Sequence, residues 1–220
     1  MAYEFLKWTG QAGFYFEDKG MTVWIDPFQI PEGSKHADLI FITHSHPDHL
    51  SPADLEKIAD QNTSFVAPDE SAAKLQGYKN ITKVKPEEKG KNVLGISFET
   101  VAAYNVHPKK LQFHPKSNNW VGYVIETNGK RIYHAGDTDI VNEMEKVEAD
   151  LALLPCGGTY TMDIDEMIEG TKKIKAKHFA PIHYRALVGK ESSDQLEKKF
   201  KEKVPSGIIL EQVNTPKYSF

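Results

Sequence analysis

The chain has a single cysteine, Cys156, so no intrachain disulfide can brace it and the fold must stand on its core. It has no apolar run near the ~18 residues that a spanning helix requires, so no integral membrane segment is expected. Met1 to Gly10 shows no basic stretch followed by an apolar run, so no secretion signal is expected, and the compartment predicted is the cytoplasm. A net positive charge is also lacking. A net charge of −4 lacks the positive footprint of general nucleic-acid binding, although it leaves room for a small anionic substrate held by a few local cations. Low-complexity tracts, repeats of solenoid length and long linkers are all missing. What is there is ordinary for a globular protein: 40% hydrophobic and 26% charged residues in a length that fits one domain, 1–220.

Short strands dominate the first part. Phe14 to Phe16 and Thr22 to Ile25 flank Gly20 and read as a hairpin. Leu39 to Ile42 is a compact apolar run, consistent with a buried strand. Ser51 followed by Pro52 predicts a capped helix with Leu55, Ile58 and Ala59 on its apolar stripe. A strand over Ser64 to Ala67, a short helix over Asp69 to Leu75 and a strand over Ile81 to Val84 follow. In the second part Asn128-Gly129 joins strands Val121 to Thr127 and Lys130 to His134, a strong hairpin signal. Leu151 to Leu154 and Phe179 to Ile182 read as strands, and Gly207 to Leu210 as an edge strand. Asp163 with Glu166 forms a capping box ahead of a helix carrying Ile164, Met167, Ile168 and Ile174, and Ser192 to Lys203 reads as a polar surface helix. This grammar predicts an α/β domain of two similar halves, about 1–115 and 116–220, with two sheets packed together and helices outside.

The chain has nine histidines, and three of them, His44, His46 and His49, share one six-residue stretch with Asp48. The stretch follows a buried strand, where ligand sites of α/β folds gather. Imidazole and carboxylate are the usual ligands of zinc and its neighbours, and so short a loop serves two adjacent metals more readily than one. Two later strands also run into metal-competent residues: Lys130 to His134 into Asp137, and Phe179 to Ile182 into His183 and Tyr184. Each alone reads equally well as a turn residue or a buried histidine; beside the first cluster the metal reading prevails.

These residues resemble the metallo-β-lactamase superfamily. The carriers are the His-x-His-x-Asp-His pattern at His44 to His49, Gly136-Asp137-Thr138 after a strand, Pro181-Ile182-His183, and the early Asp26-Pro27. Ala103 to Asn105, Phe113 to Lys116 and Tyr133 to Asp139 look like small prokaryotic metal-dependent hydrolases, similar to ascorbate-phosphate lactonases and N-acyl-phosphatidylethanolamine-type phospholipases D. The resemblance implies a four-layer αβ/βα sandwich with two mixed sheets face to face. It implies two divalent metal ions, zinc first, with manganese and iron also suited. His44 and His46 would hold one metal and Asp48, His49 and His183 the second, with Asp137 between them. Asp48 would orient an activated water and manage its proton.

Two departures stand out. Asn105 occupies the place where the family carries a metal-binding histidine, and an amide is a poor ligand for zinc beside imidazole. His114 matches the subgroup's own pattern and is the favoured replacement; His107 lies closer in sequence to the expected place. Gln11 stands where relatives often carry histidine and is expected near substrate or behind the ligands. Asp26 and Asp139 are candidates to orient ligand histidines. Asn105, Lys116, His134 and Tyr184 are candidates for substrate or supporting contacts, and Lys109, Lys110 and Lys116 lie in a loop, 105–120, that could meet a phosphate or carboxylate. The same loop reads more readily as a solvated surface. Gly157 and Gly158 would let backbone approach a ligand or simply serve a tight turn. Cys156 reads as a core residue, His134 and His178 as core residues or supports behind the ligands, and His36 as exposed. The leading function is hydrolysis of a small ester, lactone or phosphodiester; a nuclease and a non-hydrolytic metal or redox-linked protein are the alternatives.

Overall fold

The computed structural model describes residues 3–213. Its first sheet contains β1 (Lys7–Gly10), β2 (Gly13–Asp18), β3 (Met21–Ile25), β4 (Leu39–Phe41), β5 (Ser64–Pro68) and β6 (Asn80–Val84), paired in that order. β1 to β3 are antiparallel, and β3 to β6 are parallel. The second sheet contains β7 (Lys91–Val93), β8 (Ile96–Ala102), β9 (Val121–Thr127), β10 (Lys130–His134), β11 (Glu148–Pro155) and β12 (Lys175–Ile182). There β7 to β10 are antiparallel and β10 to β12 parallel. Two mixed sheets with helices outside are the architecture of the expected sandwich.

Strand periodicity of two explains why the first sheet is apolar on both faces. Val23, Ile25, Leu39, Phe41 and Val66 face the second sheet, whereas Trp24, Ile40, Ile42, Phe65 and Ala67 join a separate cluster with Leu55, Ile58 and Leu75 beneath the outer helices. Between the sheets the Phe41 ring meets Phe98 at 5.1 Å and Tyr123 at 5.0 Å, edge to face. The Tyr123 hydroxyl donates to the Ile42 carbonyl at 2.8 Å, tying the sheets together just before the histidine loop.

α1 (Pro52–Ile58) is capped by the Ser51 side chain, which accepts from the Asp54 amide, and α3 (Ile164–Thr171) has the reciprocal Asp163–Glu166 capping box. α2 (Asp69–Ala72) is shorter than expected, because the amides of Lys74 and Leu75 bond three residues back in a tightened turn. Ile174 packs on the core from beyond the end of α3. α4 (Arg185–Lys203) includes the predicted surface helix, preceded by one turn and a break at Gly189 (φ 74°, ψ 176°). No helix among the described residues is long and apolar enough to cross a membrane.

Other elements differ from the sequence reading as well, and β7 had no counterpart in it. β1 was not anticipated. The chain changes sheet between Val84 and Lys91, upstream of the division expected near residue 115, since β7 and β8 join the second sheet. Gly207 to Leu210 is not an edge strand: the segment makes one bridge, Gly207 to Phe179, then crosses to bridge Gln212 to Trp8. It passes from the edge of one sheet to the edge of the other and so cannot run along either.

Phe41→Ala would open a cavity at the inter-sheet aromatic contact and should destabilise the protein by about 3–5 kcal/mol, measured as a lower urea midpoint with little change in slope.

Candidate metal centre

The carboxyl ends of β3, β4, β10, β11 and β12 open at one edge of the sandwich, and the loops leaving them build the site. Asp26 follows β3 in a left-handed conformation (φ 43°) and has no solvent exposure. Its carboxylate accepts from the Thr43 amide at 2.8 Å, the Thr43 hydroxyl at 2.6 Å and His49 Nδ1 at 2.8 Å. Because Nδ1 of His49 is engaged by that carboxylate, its Nε2 faces the centre. The Thr43 hydroxyl, its proton committed to Asp26, accepts from His44 Nδ1 at 3.0 Å and turns His44 Nε2 toward His46 Nδ1, 3.1 Å away. Two imidazole nitrogens with inward lone pairs at that distance need a shared proton or a cation.

The second sheet supplies the facing side. Asp137, after β10, lies 3.4 Å from His49 Nε2, 3.3 Å from His114 Nε2 and 3.3 Å from His183 Nε2. His183, after β12 and also left-handed (φ 55°), places Nε2 3.1 Å from Asp48. Three sets of donors converge: His44, His46 and His114; His44, His49 and Asp137; Asp48, His49 and His183, with the ligand atoms of each set within 4.8 Å of one another. His107 is in none of them among the described residues; its Nδ1 accepts from the Lys109 amide in the outer loop.

Asn105 has a definite task. Its Oδ1 accepts from His114 Nδ1 at 2.9 Å and from the His114 amide at 3.1 Å, and its Nδ2 donates to the Tyr160 carbonyl at 3.0 Å. The residue at the family's histidine position thus orients a histidine delivered from further along the loop. Asp139 accepts from the amides of Val106 and His107 at 2.8 and 2.9 Å and pins the start of that loop. Gln11, in the β1–β2 turn, donates to Asp48 at 3.1 Å, and its carbonyl accepts from the His183 amide at 3.0 Å.

The donor set fits a cation. Nε2 of His49, Nε2 of His114 and Oδ1 of Asp137 are buried with no hydrogen-bond partner, although they point at the centre. Burial, then the nearby His49 charge, hold His44 well below its ordinary pKa, which leaves a neutral imidazole. Burial would lift the carboxyls of Asp48 and Asp137, but the adjacent His49 and His183 hold both below the usual range. Burial would likewise lower His49, yet Asp137, Asp48 and Asp26 drive it well above its ordinary value. The carboxylates of the cluster thus favour positive charge at its centre.

Three residues expected to touch substrate or support the ligands are not in the donor sets, although His134 Nδ1 accepts from the Gly136 amide beside Asp137 at 3.2 Å. Lys116 is exposed, with its ammonium 4.4 Å over the Tyr104 ring and 3.2 Å from Glu143. His134 is buried in the second sheet, with Nε2 bonded to the Ala12 carbonyl at 2.8 Å. Tyr184 turns away, stacking on Trp8 and donating to Glu197 at 2.6 Å. The sequence reading overlooked Trp120, whose indole contacts the rings of His44, His46 and His114 and donates to Glu70 at 3.1 Å. It also overlooked Thr43; position directly before the histidine motif was the available signal. Cys156 is buried, and His36 is exposed beside Asp60, both as expected.

Beside the cluster opens a pocket of ≈460 Å³ walled by Phe28, Pro47, Phe113, Tyr160 and Leu187 and floored by His46, Asp48, His114, Asp137 and His183. Gly157 is needed here: a Cβ would fall 2.4 Å from Leu187 Cδ1 and 2.5 Å from the His183 carbonyl.

The chain belongs to the beta-lactamase superfamily: the model of the beta-lactamase superfamily domain matches residues 5–183. Within that superfamily it belongs with the metal-dependent hydrolases. A UPF0173 metal-dependent hydrolase of Nanoarchaeum equitans is 33% identical over 215 residues, covering 93% of this chain and 95% of the relative. One from Alkaliphilus metalliredigens is 33% identical over 216 residues, covering 93% and 94%. The fold is also that of a metallo hydrolase from Ignicoccus hospitalis, 23% identical, with a TM-score of 0.75 over 96% of this chain and 95% of that one.

Asn105→Ala should weaken metal binding by about 10–100-fold, since His114 loses the acceptor that sets its tautomer. A competition titration against a chromogenic chelator measures this; unchanged affinity would reduce Asn105 to a loop tether.

Proposed function

We propose that the protein is a two-metal hydrolase acting on a small ester, lactone or phosphodiester. His44, His46 and His114 would hold one metal, Asp48, His49 and His183 the other, with Asp137 between them. The observation that carries this reading is the convergence of these donors on a centre where three buried polar atoms make no hydrogen bond. Zinc suits the imidazole-rich donors first, and manganese and iron are compatible. Metals held there would polarise the substrate oxygen and bring the pKa of a water down to about 7.

The protein's own groups do the rest. Asp48 is the cluster carboxylate with most access to the pocket, its side chain 26% exposed against 4% for Asp137. Gln11 and His183 fix its Oδ2, so that it can orient a water and take up its proton. Trp120 and the aromatic walls exclude bulk water from one side of the imidazoles, which strengthens every charge interaction inside. Single, buried Cys156 fits a reducing compartment such as the cytoplasm.

Elemental analysis should find close to two metals per chain, about one in His46→Ala and His114→Ala, and still two in His107→Ala. Asp48→Asn should lower kcat by about 10²–10⁴-fold. A wild-type protein that stays metal-free after reconstitution would remove the basis of the reading.

A further inference from the structure

The walls of the pocket narrow the substrate class. Apart from the five cluster residues they are Phe28, Pro47, Phe113, Tyr160 and Leu187, with no lysine or arginine among the lining residues. The rings of Phe113 and Tyr160 meet edge to face at 4.9 Å and form an apolar corner. Two cations of the neighbouring loop are committed elsewhere, and the third, Lys109, is exposed and not among the lining residues. Lys110 donates to the Thr161 carbonyl at 2.6 Å and to Glu166 at 3.0 Å, and Lys116 pairs with Glu143. The rim continues the theme: of four exposed large hydrophobics among the described residues, Val106, Leu111 and Tyr160 belong to the two loops that frame the pocket.

A phosphodiester brings a charge that no lysine or arginine of the lining meets, and a charge elsewhere on the substrate would lie against apolar walls without a partner, which is costly. Uncharged apolar groups gain there by leaving water. We infer that the substrate is an uncharged carboxylic ester or lactone bearing an apolar acyl or aryl group, seated against Phe28, Phe113, Tyr160 and Leu187. This inference rests on the hydrolase reading above and selects one of its substrate classes. The reaction adds water: its oxygen bonds to the acyl carbon, the acyl–alkoxy bond breaks, one water proton goes to the departing alkoxide, and the other is released as the acid ionises. No electrons are exchanged.

The test compares, on metal-replete protein, para-nitrophenyl esters from acetate to hexanoate with bis(para-nitrophenyl) phosphate and para-nitrophenyl phosphate. The expected kcat/KM for the hexanoate exceeds that for either phosphate by about 100-fold or more. Along the ester series it should rise up to about fourfold per added methylene. Tyr160→Ala and Phe113→Ala should flatten that rise, and Leu187→Lys, which puts a cation in the wall, should shift preference toward the phosphates; metal content separates these effects from misfolding. Chelator-sensitive turnover that favours the phosphodiester, or ester rates indifferent to chain length, overturns the substrate assignment and leaves the hydrolase standing. Failure to turn over any of these compounds with both metals bound overturns both.

Discussion

A carboxylate sealed from water needs donors on every side, and Asp26 finds them in one place. Its three bonds go to the amide and hydroxyl of Thr43 and to the ring of His49. Those bonds join the end of β3 to the end of β4 and set the imidazole that both carboxylate-bearing donor sets share. The same carboxylate, through the Thr43 hydroxyl, also sets His44. Its left-handed backbone is an uncommon state for a residue with a side chain, held because these bonds over-determine it. The orientation of the whole histidine loop follows from this one buried charge.

Each proposed metal position draws on both sheets. His44 and His46 come from the first and His114 from the second; Asp48 and His49 come from the first and His183 from the second. Metal at either position would bind only the assembled sandwich, so loading and stability are linked through mass action. The hydrophobic interface brings the donors within reach, and the cation would relieve the charge that this burial concentrates.

Much of the centre was legible because its residues sit in contiguous motifs or directly after apolar strands: His44 to His49 by spacing, Asp137 and His183 by position. The pairing of Asn105 with His114 was open because the loop between them has no periodicity, and only the fold shows one accepting from the other. Lys116 was misplaced for the same reason. A sequence does not say which way a loop side chain turns, and here Tyr104 and Glu143 draw it outward. Trp120, Phe28 and Leu187 carry no local signal; their roles arise from contacts across the chain. β1 was missed because four residues offer too little alternation to read.

The segment after α4 touches one edge strand of each sheet. Ile208 donates to the Phe179 carbonyl on β12, and Val213 donates to the Trp8 carbonyl on β1 at 2.8 Å each. Unpaired edges invite other chains, and this clasp covers part of the two that flank His183 and Gln11. A ribosome delivers His44 to His49 long before it delivers His183, and the clasp later still. The nascent chain therefore displays an incomplete histidine cluster between two open edges. Maturation of the centre and protection from mispairing arrive together, once the segment after α4 has been made.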